Sequence, residues 1–448
     1  MDDSTLKQKL LAQAKRRSSA RAAETAGQAP PGQAADGRPA TGSAGSWTDF
    51  TAHPGYRHLA LMRQGASRLG LTDPFFKVHE GTAGATSTLE GRTFINFASY
   101  NYLGYSGDPR VNQAARDAVE RYGTSVSASR AVSGERPIHQ ALEQALAEAY
   151  EAEDAVAFVS GHATNVSTLG YLLGPRDLVL HDEYIHNSAL VGTQLSGAKR
   201  MPFPHNDAER LDALLERHRH RFERVLIIIE GLYSMDGDAP DLDRFVALKQ
   251  RHDAWLMVDE AHALGVLGER GRGLYEHCGT SPGDVDIWMG TLSKTLAGCG
   301  GYIAGTRPLV EILRYFAPGF LYSVGMPAQV AAPALRALEL MRAEPERVAR
   351  LHAVSAYFLA QAQRRGLDTG YSIGAAVVPV IVGNSPLATR LCQALYDRGI
   401  NVQPIVYPAV PENSARLRFF LSCDHTQEQI DRTLDVVHQQ LDGTGTLR

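Results

Sequence analysis

A chain of 448 residues, 44% hydrophobic and 21% charged, has enough apolar material for a large core and two or three subdomains. Its formal net charge of −4 leaves no electrostatic footprint for nucleic acid or a membrane surface. The four cysteines, Cys278, Cys299, Cys392 and Cys423, show no CxxC spacing and predict neither a disulfide framework nor a metal site.

Residues 1–48 open with Met1-Asp2-Asp3-Ser4, which lacks the basic flank and apolar stretch of a secretory signal. A short basic helix over 6–17 is followed by an Ala/Gly/Pro/Ser-rich tract with too little apolar bulk to repay ordering. This segment is predicted to be a disordered tail or a docking segment for a partner protein. No apolar run approaches the roughly 20 residues that span a bilayer, so a cytoplasmic location without membrane contact is expected. The next segment, 49–105, carries a predicted hairpin over 88–97 with Glu90-Gly91 at its turn. Helical periodicity follows over 109–121 and 138–150.

From there strands and helices alternate within a predicted large domain, 106–340. Apolar strands are expected at 155–159, 178–180, 225–229, 255–258 and 287–289, with helices such as 242–251 between them. Near-continuous apolar strands of this kind argue a largely parallel sheet covered on both faces, with ligands at the strand carboxyl ends. After a long helical stretch, 328–364, strands at 377–382, 401–406 and 417–421 and helices at 387–398 and 427–441 predict a smaller C-terminal α+β domain over 341–442. Residues 443–448 read as a tail, and no internal repeat is found.

The chemistry concentrates at those strand ends. Thr291-Leu292-Ser293-Lys294 follows an apolar strand, where an unpaired ammonium is costly. Such a lysine is usually paired, or neutral and engaged in amine chemistry. Thirty-five positions upstream of it, Asp259-Glu260-Ala261-His262 ends another strand. A Schiff-base lysine with an aspartate for a pyridinium nitrogen is the pair that pyridoxal 5′-phosphate (PLP) enzymes require. His262 is placed to hydrogen-bond the ring's 3′-oxygen, or is a satisfied core histidine. Ser160-Gly161-His162-Ala163-Thr164-Asn165 opens a helix that can bind phosphate, though alone it reads more readily as a structural turn. His186, in Tyr184-Ile185-His186-Asn187-Ser188, can stack on the ring; alone it reads as a surface-loop histidine.

Together with Asn101-Tyr102-Leu103-Gly104, Ser133-Gly134, the run Glu230-Gly231-Leu232-Tyr233-Ser234-Met235-Asp236-Gly237, Tyr407-Pro408-Ala409-Val410-Pro411 and Arg416-Leu417-Arg418, these motifs resemble the α-oxoamine synthases over about residues 75–441. The runs Thr124-Ser125-Val126-Ser127-Ala128-Ser129-Arg130 and Val402-Gln403-Pro404-Ile405 are most similar to polyketide-associated members. The resemblance implies an α/β fold-type I PLP-dependent transferase, with a mostly parallel seven-stranded sheet in the large domain. It implies Lys294 as the Schiff-base lysine and Cα base, Asp259 at the ring nitrogen, His262 at the 3′-oxygen and His186 on the ring face. Gly161, His162, Ser234 and Thr291 would bind the cofactor, chiefly its phosphate. Asn101 and Arg418 would orient the amino acid carboxylate.

The implied reaction is a decarboxylative Claisen condensation of a small L-amino acid with an acyl thioester, on acyl carrier protein or coenzyme A, to an α-amino ketone, carried out by a homodimer. Transamination or simple decarboxylation, and a non-catalytic partner that binds acyl carriers, are the alternatives. Three positions depart from the family pattern. His162 stands where an aromatic residue is common, Val324 where a neighbouring subunit usually offers a hydroxyl, and Val406 where two branches place a mobile arginine. Ser129 stands where a glycine-restricted branch has threonine. The missing methyl leaves room beside Cα, so alanine or serine is expected to be accepted, with glycine possible.

Overall fold

In the computed structural model the described residues are 48–68 and 70–443. The expected N-terminal tail lies outside them save for Thr48, as does all of the C-terminal tail but Gly443. Residues 48–65 belong to a unit of their own, and their helix, Pro54–Arg68, buries no residue. The unit that begins at Ala66 holds all three sheets.

The hairpin forms as its turn chemistry requires. β1 (Thr86–Leu89) and β2 (Arg92–Asn96) pair antiparallel, with Leu89 opposite Arg92. Glu90 and Gly91 both take positive φ, at 52° and 68°, the two-residue turn whose twist matches paired strands. β2 then pairs in parallel with β11 (Ile400–Asn401), which is the first part of the strand expected at 401–406.

The large sheet has seven strands. They are β3 (Asp154–Phe158), β4 (Leu178–Asp182), β5 (Lys199–Phe203), β6 (Val225–Glu230), β7 (Trp255–Asp259), β8 (Ile287–Thr291) and β9 (Gly301–Gly305), in spatial order β3-β9-β8-β7-β6-β4-β5. β4 to β8 run parallel, and β9 is antiparallel to both β8 and β3. Every residue of β6 is buried. Successive side chains feed two cores on opposite faces, as the period of two demands: Leu226, Ile228 and Met257 on one, Ile227, Ile229 and Val258 on the other. β5 and β9 were not expected. β5 reads Lys-Arg-Met-Pro-Phe and sits at the sheet edge, where a proline and exposed charges are tolerated. β9 begins and ends in glycine, which masks the strand signal.

The expected single helical stretch is two helices, Ala328–Ala343 and Pro345–Arg364. Pro345 starts the second, and the residue before a proline avoids helical geometry; Glu344 has φ −123° and ψ 62°. The smaller C-terminal α+β part is built on β10 (Val377–Gly383), β13 (Ala415–Phe420) and β12 (Gln403–Ile405), with helices Ser385–Asp397 and Gln427–Asp442. β13 is central there, and it delivers Arg418 to the large sheet.

Candidate active site

The carboxyl ends of β6, β7 and β8 border a cavity of about 410 Å³. In-register pairing sets Asp259 between Glu230 and Met289, so one row of strand ends places both carboxyl groups beside the turn that carries Lys294. Of the residues expected to form the site, Lys294, Asp259, His262, His186, Gly161, His162, Ser234, Thr291 and Arg418 all line this cavity.

Among the described residues Lys294 forms no ion pair; its ammonium lies 5.5 Å from the centre of the Tyr100 ring. Burial pulls its pKa down to about 8, with Arg418 acting the same way and Asp259 and Glu230 opposing. A lysine in that range holds an accessible neutral amine near physiological pH.

Asp259 is 4% exposed. Its Oδ1 accepts the Ala261 N–H at 3.0 Å and its Oδ2 accepts Asn165 Nδ2 at 2.9 Å. The same Asn165 nitrogen donates to Ser188 Oγ at 2.9 Å, and Ser188 Oγ lies 2.7 Å from His186 Nδ1. A continuous hydrogen-bonded chain therefore joins Asp259 to His186 through two residues to which the sequence reading gave no role. Desolvation lowers the His186 pKa; Asp259 pulls it up, while Lys294, His162 and Arg418 push it down.

Nδ1 of His262 lies 2.7 Å from the hydroxyl of Tyr102. Burial, and then the charges of Lys294, Arg418 and His186, hold this imidazole well below the ordinary histidine range, so it is neutral. In the tautomer in which Nδ1 accepts from the Tyr102 hydroxyl, Nε2–H is the donor left for a ligand oxygen. Burial and the neighbouring Asp259 push Glu230 well above the usual carboxyl range.

Arg418 donates to the Ser234 carbonyl at 3.0 Å and lies over the Phe420 ring at 4.5 Å. Among the described residues its Nε is buried without a hydrogen-bond partner, as are Asn165 Oδ1 and Glu230 Oε1. A ligand or ordered water in the cavity would satisfy buried polar atoms of this kind. Gly161 opens a twelve-residue helix, Gly161–Leu172, capped by Ser160 Oγ accepting the Ala163 N–H at 3.3 Å. The amides of Gly161 and His162 fall in its first turn, where no intrahelical acceptor exists. A Cβ at Gly161 would stand 2.9 Å from Thr291 Oγ1, so only glycine keeps this corner open to an anion. An amine without an ion pair, a carboxylate facing it, a neutral imidazole donor and an anion corner fit PLP group by group.

Two expected residues are elsewhere. Asn101 is buried with its amide turned away from the cavity: Nδ2 donates to the Ser106 carbonyl and Oδ1 accepts the Ser106 N–H, both at 3.0 Å. It pins a loop, and the exposed Tyr100 lines the cavity in its place. Ser129 precedes the helical turn Arg130–Gly134 and does not reach the cavity. Sequence reasoning gave no role to Tyr100, Tyr102, Asn165 or Ser188. Tyr102, Asn165 and Ser188 sit inside recognised motifs and Tyr100 just before one, and their contacts depend on elements far apart in the chain.

The model of the family "Aminotransferase class I and II" matches residues 92–437. The 8-amino-7-oxononanoate synthase of Symbiobacterium thermophilum is 41% identical over 348 residues, covering 78% of this chain and 88% of that protein. That of Bacillus subtilis is 36% identical, covering 80% and 91%. Among solved structures, Sphingomonas wittichii serine palmitoyltransferase superposes with a TM-score of 0.84 at 30% identity, covering 89% of this chain and all of that one. Serine palmitoyltransferase structures that match equally well hold PLP. Cavity, fold and relatives agree that this chain belongs to the α-oxoamine synthases, a family of fold-type I PLP-dependent acyltransferases.

Proposed function

We propose that this enzyme joins a small L-amino acid to an acyl group delivered as a thioester on acyl carrier protein, with loss of carbon dioxide, to give an α-amino ketone. PLP-dependent decarboxylative condensation is the chemistry of the family. The carrier donor is the finer reading. It rests on the likeness of the runs 124–130 and 402–405 to polyketide-associated members, and coenzyme A thioesters are the other source. The observation that carries the proposal is Lys294, an amine with no ion pair among the described residues and a pKa of about 8, beside Asp259 in one cavity.

The residues divide the work as follows. Lys294 would hold the cofactor covalently and, once displaced by substrate, take the Cα proton on Nζ. Asp259 would keep a proton on the ring nitrogen, held in aim by Asn165 and the Ala261 amide. His262 would donate Nε2–H to the 3′-oxygen. Gly161, His162, Ser234 and Thr291 would take the phosphate side. PLP, when bound, supplies the electron sink that makes the Cα proton and then the carboxylate easier to lose. Arg418 would bind the amino acid carboxylate, with its guanidinium aimed by the Ser234 carbonyl. His186 would cover the ring and donate to the thioester carbonyl oxygen.

A homodimer is part of the proposal. Val132 and Tyr322 are each 82% exposed and Val324 is 52% exposed. The Gly325 N–H donates to the Ala128 carbonyl at 3.0 Å, which ties the segment of Tyr322 and Val324 to the one that carries Ser129 and Val132. A second copy covering these exposed apolar residues would bring Ser129 towards a neighbouring cavity. Among the described residues no helix is long and apolar enough to cross a membrane, and all four cysteines are free. A cytoplasmic location is our reading.

Carboxyl-labelled amino acids with and without acyl thioester test the reaction. Labelled carbon dioxide should appear only when both are present, in step with free thiol. Keto acid with the label retained would make the enzyme an aminotransferase, and carbon dioxide without thioester a simple decarboxylase. Protein that takes up no PLP would make it a binding partner.

A further inference from the structure

A buried charged cluster outside the cavity ties together two of the loops that build it. His205 follows β5 and its side chain is 10% exposed. Nδ1 lies 3.0 Å from Asp182 Oδ1, and Nε2 lies 2.8 Å from Asp238 Oδ2. Tyr184 stacks on the ring at 4.5 Å, Tyr233 meets it edge-on at 4.4 Å, and Tyr371 stands 6.4 Å away. Asp182 ends β4 and accepts the Tyr184 N–H at 2.9 Å, which fixes the start of the loop that runs to His186. The Asp238 carbonyl accepts the Tyr233 N–H at 2.9 Å, which closes the loop bearing Ser234 and Met235.

We propose that His205 is a positioning residue: by bridging Asp182 and Asp238 it locks the His186 loop to the Ser234–Met235 loop and so sets the ring-covering imidazole against the floor that aims Arg418. The inference rests on the functional reading above for what those two loops hold.

Burial alone would lower the His205 pKa, but its two carboxylate partners raise it to about 10, so the bridge is cationic at neutral pH. Asn206 supports both carboxylates, its N–H donating to Asp182 Oδ2 at 2.7 Å and its Nδ2 to Asp238 Oδ2 at 2.8 Å. Removing the cation leaves two buried carboxylates facing one another. Loop separation then follows from repulsion, not from lost volume, and this distinguishes positioning from packing.

His205→Gln is the first variant. Apoprotein affinity for added PLP and the visible circular dichroism of bound PLP are read without substrate, and the amino acid KM is read separately. We expect PLP affinity to fall and the amino acid KM to rise, each ~10-fold, with the dichroic band reduced. The double variant His205→Gln/Asp238→Asn removes the repulsion and should recover most of both losses. If His205→Gln fails to accumulate as folded protein, Asp238→Asn alone, which leaves the bridge half made, should weaken PLP binding by ~3-fold. A lower melting temperature with PLP affinity, dichroism and KM all within twofold of wild type would reduce His205 to a packing role and overturn the inference. No recovery in the double variant would do the same. Wild type that binds PLP but releases no carbon dioxide would sink the functional reading only.

Discussion

Replacing Lys294 with methionine should stabilise the apoprotein. The lysine pKa falls from 10.5 to about 8 on folding, so its charged form is disfavoured in the native state. The penalty is full below pH 8, shrinks as pH rises and is gone above 10.5. At 1.36 kcal/mol for each pH decade the drop caps the penalty at roughly 3 kcal/mol. The ammonium borders a cavity that water reaches, and screening there reduces the effect to ~1–2 kcal/mol. An apolar side chain of similar length escapes it altogether. Thermal melts of PLP-free wild type and Lys294→Met at pH 7 should differ by about 2 °C in favour of the variant. The gap should shrink steadily between pH 8 and 10.5 and close only above 10.5, where the lysine is neutral in the unfolded chain as well as in the fold. Adding PLP should reverse the order, since only the lysine holds the cofactor covalently. A variant less stable than wild type at pH 7, or a gap that widens with pH, would refute the reasoning.

Asp259→Asn should still bind PLP but exchange the Cα proton of a bound amino acid ~10³-fold more slowly, the ~4 kcal/mol of one charge pair at 4 Å and moderate dielectric. Deuterium uptake followed by mass spectrometry checks this, and near-normal exchange would count against the role. Ser129→Thr should move amino acid preference from alanine or serine towards glycine by a margin of ~1–3 kcal/mol in kcat/KM. An unchanged ranking would break the argument from that position. Sedimentation should find the active species dimeric, and an active monomer at assay concentration would defeat the argument from the exposed apolar residues.

The strand-end chemistry was legible because it is local. Lys294 and Asp259 each follow an apolar run, so their placement at sheet ends needs only the period of a strand and the direction of a parallel sheet. The hairpin turn was legible for the same reason, Glu90-Gly91 being a dipeptide signal. What escaped depends on partners distant in sequence. Nothing near Asn165 says that its amide bridges Asp259 and Ser188, or near Tyr102 that its hydroxyl meets His262. Asn101 shows the converse: the motif fixes the residue type, but the backbone N–H and carbonyl of one residue five positions on, Ser106, satisfy both amide atoms and turn the side chain from the cavity. β9 escaped because its flanking glycines read as loop, although its antiparallel pairing with β8 holds Gly301 opposite Thr291.

The small sheet made by β1, β2 and β11 has a bearing on synthesis. Ile95 pairs with Ile400, and the Asn401 side chain donates to Asn96, 305 positions earlier, at 2.9 Å. As the chain emerges from the ribosome the hairpin can close at once, but one edge of β2 stays bare until the chain has been made through residue 401. A nascent chain stalled short of residue 400, or a fragment ending there, presents that strand edge for pairing with other chains. Loop-closure entropy over so long a span makes this one of the last contacts to form. The C-terminal part thus completes the sheet of β1 and β2 as well as supplying Arg418, and a chain cut before it should be aggregation-prone even with every residue of the large sheet intact.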